Sequence, residues 1–468
     1  MELELEVRRV GSGFRALFAY WGPALIVSMA YMDPGNYGTD IQAGAAFNYG
    51  LLWAVWMANL MAMLLQYLSG KLGIATGKDL PELVRGSLNS KFDIYLNWIG
   101  AEAAAAATDL AEYLGTVIAL HILFNVPLLF ASIFGAADIL ILLVLTSRRF
   151  RALEHFFMVF VSIIGIGFLY EILVTGLDAP QIAHSFVSPA IGSNSILLIV
   201  GIVGATVMPH ALYVHSTLTR NKLVNRTSEE KRRLLKLHTR ESIPAFLIAG
   251  SVNAAILIVS AVAFYPKFSN ISAVDDAYRI MTPLFGMLAA VVFAVTLLAS
   301  GLASSTTGTL AGQAIMDGLL GTKVNKTFRR IITRAVNVFP TTIAVLLGLD
   351  PLSLLVYSQV LLSLMIALPM IPLIVYTAKK DFMGQFVNRR LTTYLALLIG
   401  TVIVVLNAAL VYVIVAPLSA YLQAMILGGY AAYHLYLVYA MRRDILTTNF
   451  TERLQGLFGH KREYQRRS

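Results

Sequence analysis

Long runs of apolar residues, each about as long as a bilayer is thick, dominate the chain. A helix needs about 20 apolar residues to cross the hydrocarbon core, and runs of that length recur to about residue 440. They lack the alternation of barrel strands, and only helices and closed barrels satisfy every backbone polar group in lipid. The pattern predicts an all-α polytopic membrane protein with about twelve spans, at 16–47, 50–75, 94–124, 127–146, 153–174, 194–217, 241–265, 284–311, 330–348, 351–377, 391–415 and 418–440.

The count of spans depends on a short connection near the end. Only the four residues from Ala416 to Ser419 divide the last two apolar runs, so eleven spans is the alternative and the last run is the one in question. Composition agrees with a membrane protein. Of 468 residues, 57% are hydrophobic and 13% are charged, about half the charge of an ordinary soluble domain. The absence of cysteine excludes disulfides, thiolate metal sites and cysteine nucleophiles.

Basic residues predict the orientation, since Lys and Arg accumulate on the cytoplasmic side of a membrane. With a cytoplasmic N-terminus, every basic residue except Lys267 and Arg279 falls in a cytoplasmic loop or tail. The net charge of +10 therefore reflects topology, and nucleic-acid binding is not expected. We expect a multi-pass protein of the inner cell membrane, with lipid as its surroundings and a basic cytoplasmic tail at 441–468.

Two of the predicted spans contain a proline near the middle. Pro34 and Gly35 interrupt the first span, and Pro209 interrupts the sixth. Proline removes a backbone donor and clashes with the preceding turn, so both helices should be broken. Because five spans separate the two breaks, the second half should be inverted relative to the first. Paired broken helices in inverted halves are the best sequence indication of a substrate site at the bilayer midplane.

The residues at the breaks suit a soft divalent cation. Asp33 is a carboxylate at the middle of a membrane span, which is costly and usually functional. Asn36 offers an amide oxygen, and unwinding frees carbonyls such as those of Ala30 and Ala205. Met208 offers a thioether, a ligand that favours transition metals over the hard ions Mg²⁺ and Ca²⁺. A methionine in an apolar helix is ordinarily packing, and only its position at the break marks Met208.

A proton route is predicted next to this site. His210 begins the second half of the sixth span, and histidine relays protons readily. Offsets of seven and three residues put three acids of the third span on one stripe. Their natural partners are basic residues at the start of span nine, for which lipid-interface snorkelling is an equally good explanation. The acids are Glu102, Asp109 and Glu112, and the basic residues are Arg329, Arg330 and Arg334.

These motifs resemble the Nramp family (natural resistance-associated macrophage proteins, which are divalent metal transporters). The resemblance runs through spans one to ten. Its signatures are 30–36, read Ala-Tyr-Met-Asp-Pro-Gly-Asn, together with 39–45, 72–80, 109–112, 208–210, 304–313 and 358–360. Ala211 departs from the pattern, which has Asn there, and removes no expected ligand. The Met of 208–210 is absent from relatives devoted to Mg²⁺, which favours Mn²⁺ or Fe²⁺.

The resemblance implies a LeuT-type 5+5 inverted-repeat fold with alternating access. The repeats would be 1–175 and 190–377, followed by extra helices at 391–440. It implies metal ligation by Asp33, Asn36 and Met208, with carbonyls of Ala30 or Ala205 according to the conformational state. Gln359 would join when the outer gate closes. Asp33, His210, Asp109, Glu112 and the span-nine arginines would carry protons.

The expected function is proton-coupled import of Mn²⁺ or Fe²⁺ by a monomer that is not an enzyme and has no prosthetic group. Two alternatives use the same fold: a Mg²⁺ transporter and a Na⁺-coupled amino-acid carrier. The carrier would need groups for a carboxylate and an amine at the breaks, whereas Asp33 and Met208 suit a cation better. A channel would need repeated pore-lining elements, and none appears in the sequence. An intramembrane metalloenzyme would be indicated by a His-Glu-x-x-His run, which the sequence does not contain.

Overall fold

A computed structural model describes residues 22–88, 90–135, 150–220, 227–268, 280, 282–322, 338–339, 341–344 and 346–442, with the backbone alone for 150–155. The described residues form helices and the loops that join them. The sixteen helices used below are α1 Pro23–Ala30, α2 Pro34–Phe47, α3 Leu52–Thr76, α4 Leu80–Ser87, α5 Lys91–Phe124, α6 Leu128–Phe134, α7 Phe150–Thr175, α8 Ala179–Val187, α9 Ile196–Val207, α10 Pro209–Arg220, α11 Ser228–Phe264, α12 Met287–Ile315, α13 Pro351–Met365, α14 Ala367–Ala378, α15 Arg390–Val415 and α16 Ala420–Ala440.

Eight helical segments in the described part of the chain are long and apolar enough to cross a membrane. They are Pro34–Thr76, Lys91–Phe124, Phe156–Thr175, Ile196–Arg220, Ser228–Phe264, Met287–Leu320, Pro351–Ala378 and Arg390–Val415. The first of them contains both α2 and α3. This set confirms an all-α membrane architecture.

Both predicted helix breaks are present. α1 ends at Ala30 and α2 begins at Pro34, and three non-helical residues lie between them. α9 ends at Val207 and α10 begins at Pro209, leaving Met208 as the single connecting residue. In each case the proline takes the first position of the second helix, where its missing N–H is tolerated. The prolines therefore end one helix and start another.

Glycines bring the helices around α2 into close contact. A Cβ at Gly44 would meet the backbone of α11 at Ala261 N, and a Cβ at Gly38 would meet Leu355 of α13. A Cβ at Gly115 of α5 would overlap the ring of Pro34. Small residues allow such close backbone approach between membrane helices. As a result, α2 lies inside a ring of helices, and nearly all of its residues are buried.

Several helix boundaries differ from the sequence prediction. α11 begins at Ser228, well before the predicted residue 241, because Thr227 and Glu230 form a capping box that starts the helix in a charged segment. The predicted span 351–377 is confirmed as one membrane-length segment, Pro351–Ala378. A turn at Ile366 divides it into α13 and α14, and Pro369 and Pro372 cannot donate backbone hydrogen bonds at the start of α14. Two helices in connecting segments, α4 and α8, were not predicted.

The last two apolar runs form separate helices, α15 and α16, with a turn between them. α16 is not among the eight segments named above, so its crossing of the membrane stays a prediction. The first part of the predicted span at 330–348, most of the span at 127–146, and the tail beyond residue 442 lie outside the described residues. The boundaries of the two repeats likewise stay a prediction.

Candidate metal-ion site between the two helix breaks

Asp33 is fully buried and caps the first turn of α2. Its Oδ1 accepts hydrogen bonds from the backbone N and the side-chain Nδ2 of Asn36, at 2.8 and 2.7 Å. Its Oδ2 has no hydrogen-bond partner among the described residues. The carboxylate is thus held in place through one oxygen, and the other is available to a cation.

The prolines free two backbone carbonyls at matching positions. In a continuous helix the carbonyl of residue i accepts from the N–H of residue i+4. Pro34 would be the donor to Ala30, and Pro209 the donor to Ala205, but proline has no N–H. Met208 itself has a left-handed backbone conformation with φ 46°, which costs on the order of 1–3 kcal/mol for a residue of this kind. Both breaks therefore present a carbonyl from the turn before the proline.

Asn36 joins the two breaks. Its Nδ2 donates to the carbonyl of Ala205 at 3.1 Å, and its Oδ1 accepts from Thr206 Oγ1 at 3.3 Å. Through Asn36, the carboxylate of Asp33 on the first broken helix is linked to the freed carbonyl on the second. The structure therefore brings together Asp33, Asn36 and Ala205, as predicted from two distant parts of the sequence.

Gln359 of α13 also lies at the first break. A Cβ at Gly35 would overlap the side-chain amide of Gln359 and approach Asp33 Oδ2 at 2.9 Å. Gln359 Nε2 donates to Ser358 Oγ at 3.0 Å, whereas its Oε1 is buried without a partner in the described part of the chain. Glycine at position 35 makes room for this amide. Gln359, which was expected to join the ligands when the outer gate closes, is thus adjacent to the carboxylate of Asp33.

Two residues that were not predicted also hold the first break. Asn253 of α11 donates from Nδ2 to the carbonyl of Tyr31 at 2.9 Å and to Asn36 Oδ1 at 3.1 Å. Ser300 of α12 donates to the carbonyl of Met32. Both occur in the middle of apolar helices. A buried Asn or Ser in a membrane helix was the available signal, but such residues are common and carry no spacing pattern.

The donor set suits a passing ion. Among the residues that the structure describes, no three His, Cys, Asp or Glu side chains converge as they would in a permanent metal site. The breaks supply one carboxylate, amide oxygens, carbonyls and the buried thioether of Met208. A single negative charge with neutral ligands binds a divalent cation reversibly, and the sulfur adds affinity for a transition metal.

The predicted proton residues lie along one side of this site. His210 Nδ1 is 3.0 Å from Thr108 Oγ1, whose hydroxyl is also 3.1 Å from the Ala104 carbonyl. Asp109 follows Thr108 directly. A Cβ at Gly308 of α12 would lie 2.9 Å from an oxygen of Asp109 and of Glu112. The two acids therefore lie next to each other where α5 meets α12, and the imidazole contacts the residue that precedes Asp109 on α5.

The remaining members of that set are not brought to the same place. Glu102 accepts from Trp98 Nε1 at 3.2 Å, two helical turns before Asp109 on α5. The arginines proposed as partners, Arg329, Arg330 and Arg334, lie outside the described residues.

Outside the site, charged side chains stabilise the end of α10 and the start of α1. Arg220 at the end of α10 pairs with Asp79 at 2.8 Å and with Glu82 at 2.6 Å. Burial raises the pKa of Asp79 to about 6, an effect that the nearby Arg220 guanidinium partly opposes. Glu241 Oε1 accepts from the backbone N–H groups of Gly22 and Ala24 at the start of α1, at 2.7 and 3.0 Å. A buried carboxylate at a helix N-terminus is favoured by the helix dipole.

The sequence of residues 24–413 matches the family described as natural resistance-associated macrophage protein-like. The chain is a member of the Nramp family. Similar family members include the divalent metal cation transporter MntH of Deinococcus radiodurans, 42% identical over 401 residues, covering 86% of this chain and 91% of the relative. The MntH of Bacillus subtilis is 40% identical over 400 residues, covering 85% and 93%. These proteins are named as transporters and not as enzymes.

Solved structures agree with the Nramp assignment. A crystal structure of the Eremococcus coleocola manganese transporter, bound to an aromatic bis-isothiourea compound, has a TM-score of 0.83 at 29% identity and covers 93% of this chain and 97% of its own. The nucleobase-cation-symport-1 transporter Mhp1 in a closed conformation has a TM-score of 0.58 at 15% identity, covering 92% and 93%. The likeness to Mhp1 concerns the fold alone, and it confirms the LeuT-type fold expected for Nramp proteins.

Proposed function

We propose that this protein imports divalent transition-metal ions, Mn²⁺ or Fe²⁺, by secondary active transport coupled to protons. The observation that carries the proposal is the buried carboxylate of Asp33, which Asn36 links to the proline-freed carbonyl of Ala205 on the second broken helix. Met208 lies at the break of that second helix. Relatives named as divalent metal cation transporters, and a solved manganese transporter, support the same substrate class. A carrier of amino acids would need groups for two opposite charges at this position.

Met208 supports a transition metal over Mg²⁺ and Ca²⁺. Hard ions prefer oxygen ligands, and Ca²⁺ takes six to eight of them. A site in which a thioether takes one of few positions gives such ions too little oxygen. Mn²⁺ and Fe²⁺ accept mixed oxygen, nitrogen and sulfur donors. The same argument makes the Mg²⁺ transporter the weaker alternative.

Coupling to protons follows from the same residues. A cation binds Asp33 only when the carboxylate is ionised, so metal and proton compete there. His210 at the second break contacts Thr108, which precedes Asp109 on α5, and Asp109 lies near Glu112 at Gly308. These contacts support the proposal that a proton displaced at the site moves through these side chains. With a membrane potential negative inside, each imported charge gains about 2.3 kcal/mol per 100 mV.

The protein would act as a monomer in the inner cell membrane with its N-terminus in the cytoplasm. The distribution of basic residues supports this orientation. The Arg220 cluster with Asp79 and Glu82 would then close the cytoplasmic side in the described conformation. No prosthetic group is required, because the metal ion and the proton are the substrates.

Uptake of radioactive Mn²⁺ into proteoliposomes tests this function. An inward proton gradient should accelerate uptake by the wild type, and Mn²⁺ entry should acidify the lumen. Asp33→Asn, which keeps the shape and removes the charge, should abolish uptake. Asp381→Asn is the control, because Asp381 is exposed in the helical turn Lys380–Met383. Wild-type vesicles that take up no divalent metal would refute the proposal, and uptake indifferent to the proton gradient would refute the coupling.

A further inference from the structure

One buried acid near the site has no role in the function proposed above. Asp40 lies on α2, seven residues after Asp33 and four after Asn36. Seven residues of α-helix turn through nearly two full turns and rise about 10 Å. Asp40 therefore lies on the same face of the helix as Asp33, two turns farther from the break.

Asp40 is 1% exposed, and neither carboxyl oxygen has a hydrogen-bond partner in the described part of the chain. Its neighbours on α2 show how it is enclosed. Gly38 lies against Leu355 of α13, and Gly44 against the backbone of α11. On a third side, Thr39 lies against α9, where a Cβ at Gly201 would be 3.0 Å from Thr39 Cγ2. A carboxyl group that is buried without a partner is costly when charged.

The helices packed on α2 provide no basic residue to neutralise Asp40. The helices with the most contacts are α5, α9, α11, α12 and α13, and Phe168 of α7 also packs against Tyr37 of α2. No Lys or Arg occurs in α9, α12 or α13, the only one in α5 is its first residue, and those of α11 all precede Glu241. The charged residues that these helices and α2 bring toward the site are acids, namely Asp33, Asp109 and Glu112. These helices therefore offer Asp40 no positive side chain.

A further buried oxygen near Asn36 also lacks a partner. Asn253 is tied to Asn36 and Tyr31 through its Nδ2, while its Oδ1 has no partner among the described residues. Asn36 precedes Asp40 by one turn of α2. A line of oxygen-bearing side chains thus begins at the helix break and continues along α2 through Asp33, Asn36 and Asp40. Asn253 lies beside Asn36.

We propose that Asp40 is a second carboxylate for the transported divalent cation, which it binds as the ion passes along α2 to or from Asp33. This inference rests on the proposed function. Two carboxylates supply two negative charges and so match the charge of Mn²⁺ or Fe²⁺, whereas Asp33 alone leaves a net positive charge in the membrane interior. Asp40 lowers the cost of bringing the ion there.

Calorimetric titration of Mn²⁺ into purified protein in detergent tests the role of the charge. Asp40→Asn is neutral and of the same shape, and it should weaken Mn²⁺ binding by about tenfold or more, because a charge about 10 Å away in a poorly polar interior still attracts a divalent ion strongly. Asp40→Glu should bind within a few-fold of the wild type. If Asp40 only carries a proton, Asp40→Asn mimics its ordinary state and binds Mn²⁺ as tightly as the wild type, which would overturn the inference.

A second pair of variants tests direct ligation, and it uses the absence of cysteine from the chain. Asp40→Cys introduces a single thiol one bond shorter than the carboxylate, and Asp40→Ser, which has the same shape as cysteine, is its matched control. Thiolates favour soft Cd²⁺ over Mn²⁺, so the ratio of Cd²⁺ to Mn²⁺ affinity should be about tenfold higher for Asp40→Cys than for Asp40→Ser. Equal ratios would overturn ligation by residue 40. Because each ratio is measured within one protein, a general loss of stability does not change it.

Different results refute the proposed function and the role of Asp40. Wild-type protein that binds no Mn²⁺ refutes both the proposed function and the role of Asp40. Wild-type binding that is lost in Asp33→Asn and unchanged in Asp40→Asn refutes the role of Asp40 alone.

Discussion

A single side chain, that of Asn36, connects the two broken helices. It donates to Asp33 and to the carbonyl of Ala205, and it accepts from Thr206 and Asn253. In the proposed site, the Asn36 oxygen and the Ala205 carbonyl would be ligands of the metal ion. The hydrogen bonds of Asn36 hold both oxygens in place.

We expect Asn253→Leu to lower Mn²⁺ affinity about tenfold, because the change removes the amide that orients Asn36 and the Tyr31 carbonyl. Asn407→Leu is the matched control. Asn407 of α15 is also a buried amide with two hydrogen bonds, both to Ser363 of α13, and neither bond reaches the first break. Each variant should lose about 1–3 kcal/mol of stability. Calorimetry should find Mn²⁺ affinity reduced only in Asn253→Leu, and equal affinity in both would contradict a role for Asn253 at the site.

At the scale of helices, the breaks depend on close packing against their neighbours. Gly115 of α5 lies against Pro34, the first residue of α2, and a Cβ there would overlap the proline ring. Gly115→Ala should move α2 relative to α5 and lower Mn²⁺ uptake several-fold, with a loss of about 1–3 kcal/mol from overpacking.

Gly165→Ala is the control for Gly115→Ala. Gly165 lies within α7, and a Cβ there would have nothing within 4 Å. Alanine is the better helix former, so uptake and thermal stability should equal or exceed those of the wild type. Normal uptake by Gly115→Ala would contradict the packing account of the first break.

The segment joining α3 and α4 gives a prediction on pH. In the folded protein, burial puts the pKa of Asp79 at about 6, above the ordinary value of about 4. Ionisation therefore costs folding free energy, and the stability contributed by Asp79 is full below pH 4 and lost as pH rises through 6. Asp79→Asn does not ionise and can still cap α4.

We expect the unfolding temperature of Asp79→Asn relative to that of the wild type to increase between pH 4.5 and 7.5. Thermal unfolding of both proteins in detergent across that range measures the difference. Asp381→Asn, at an exposed position, should differ from the wild type by the same amount at every pH. A difference for Asp79→Asn that does not change with pH would contradict the burial argument.

The helix breaks and most of the site could be predicted from the sequence because proline acts locally. Pro34 and Pro209 remove a backbone hydrogen bond from the middle of a span, so the residues just before them are expected at a break or a kink. Pro244, by contrast, lies inside the continuous helix α11. Asn253 and Glu241 could not be predicted, since their roles depend on which helices pack together. The division of the predicted span 351–377 was missed because two prolines near a helix start are compatible with either a kink or a break.

For the molecule as a whole, the arrangement of basic residues predicts which face meets the cytoplasm. Lys267 follows α11, and Glu229 lies in its first turn. The 37 residues of that helix extend about 55 Å at 1.5 Å per residue, enough to cross the membrane. The two positions should therefore be on opposite sides.

Since the chain contains no cysteine, single substitutions report sidedness without background. A membrane-impermeant maleimide added to intact cells should label Lys267→Cys and should label Glu229→Cys only after the cells are opened. The reverse pattern would show that the N-terminus is outside and that the charge argument is wrong.

The central claim is that a carboxylate and a thioether between two broken helices select a divalent transition metal. It is tested most directly by Mn²⁺ uptake into proteoliposomes with an inward proton gradient and an excess of Mg²⁺ or Ca²⁺, comparing the wild type with Met208→Ala. The account predicts that the wild type concentrates Mn²⁺ despite the excess and that Met208→Ala loses this discrimination by about tenfold or more. Wild-type protein that carries Mg²⁺ as well as Mn²⁺, or a Met208→Ala variant that stays selective, would contradict it.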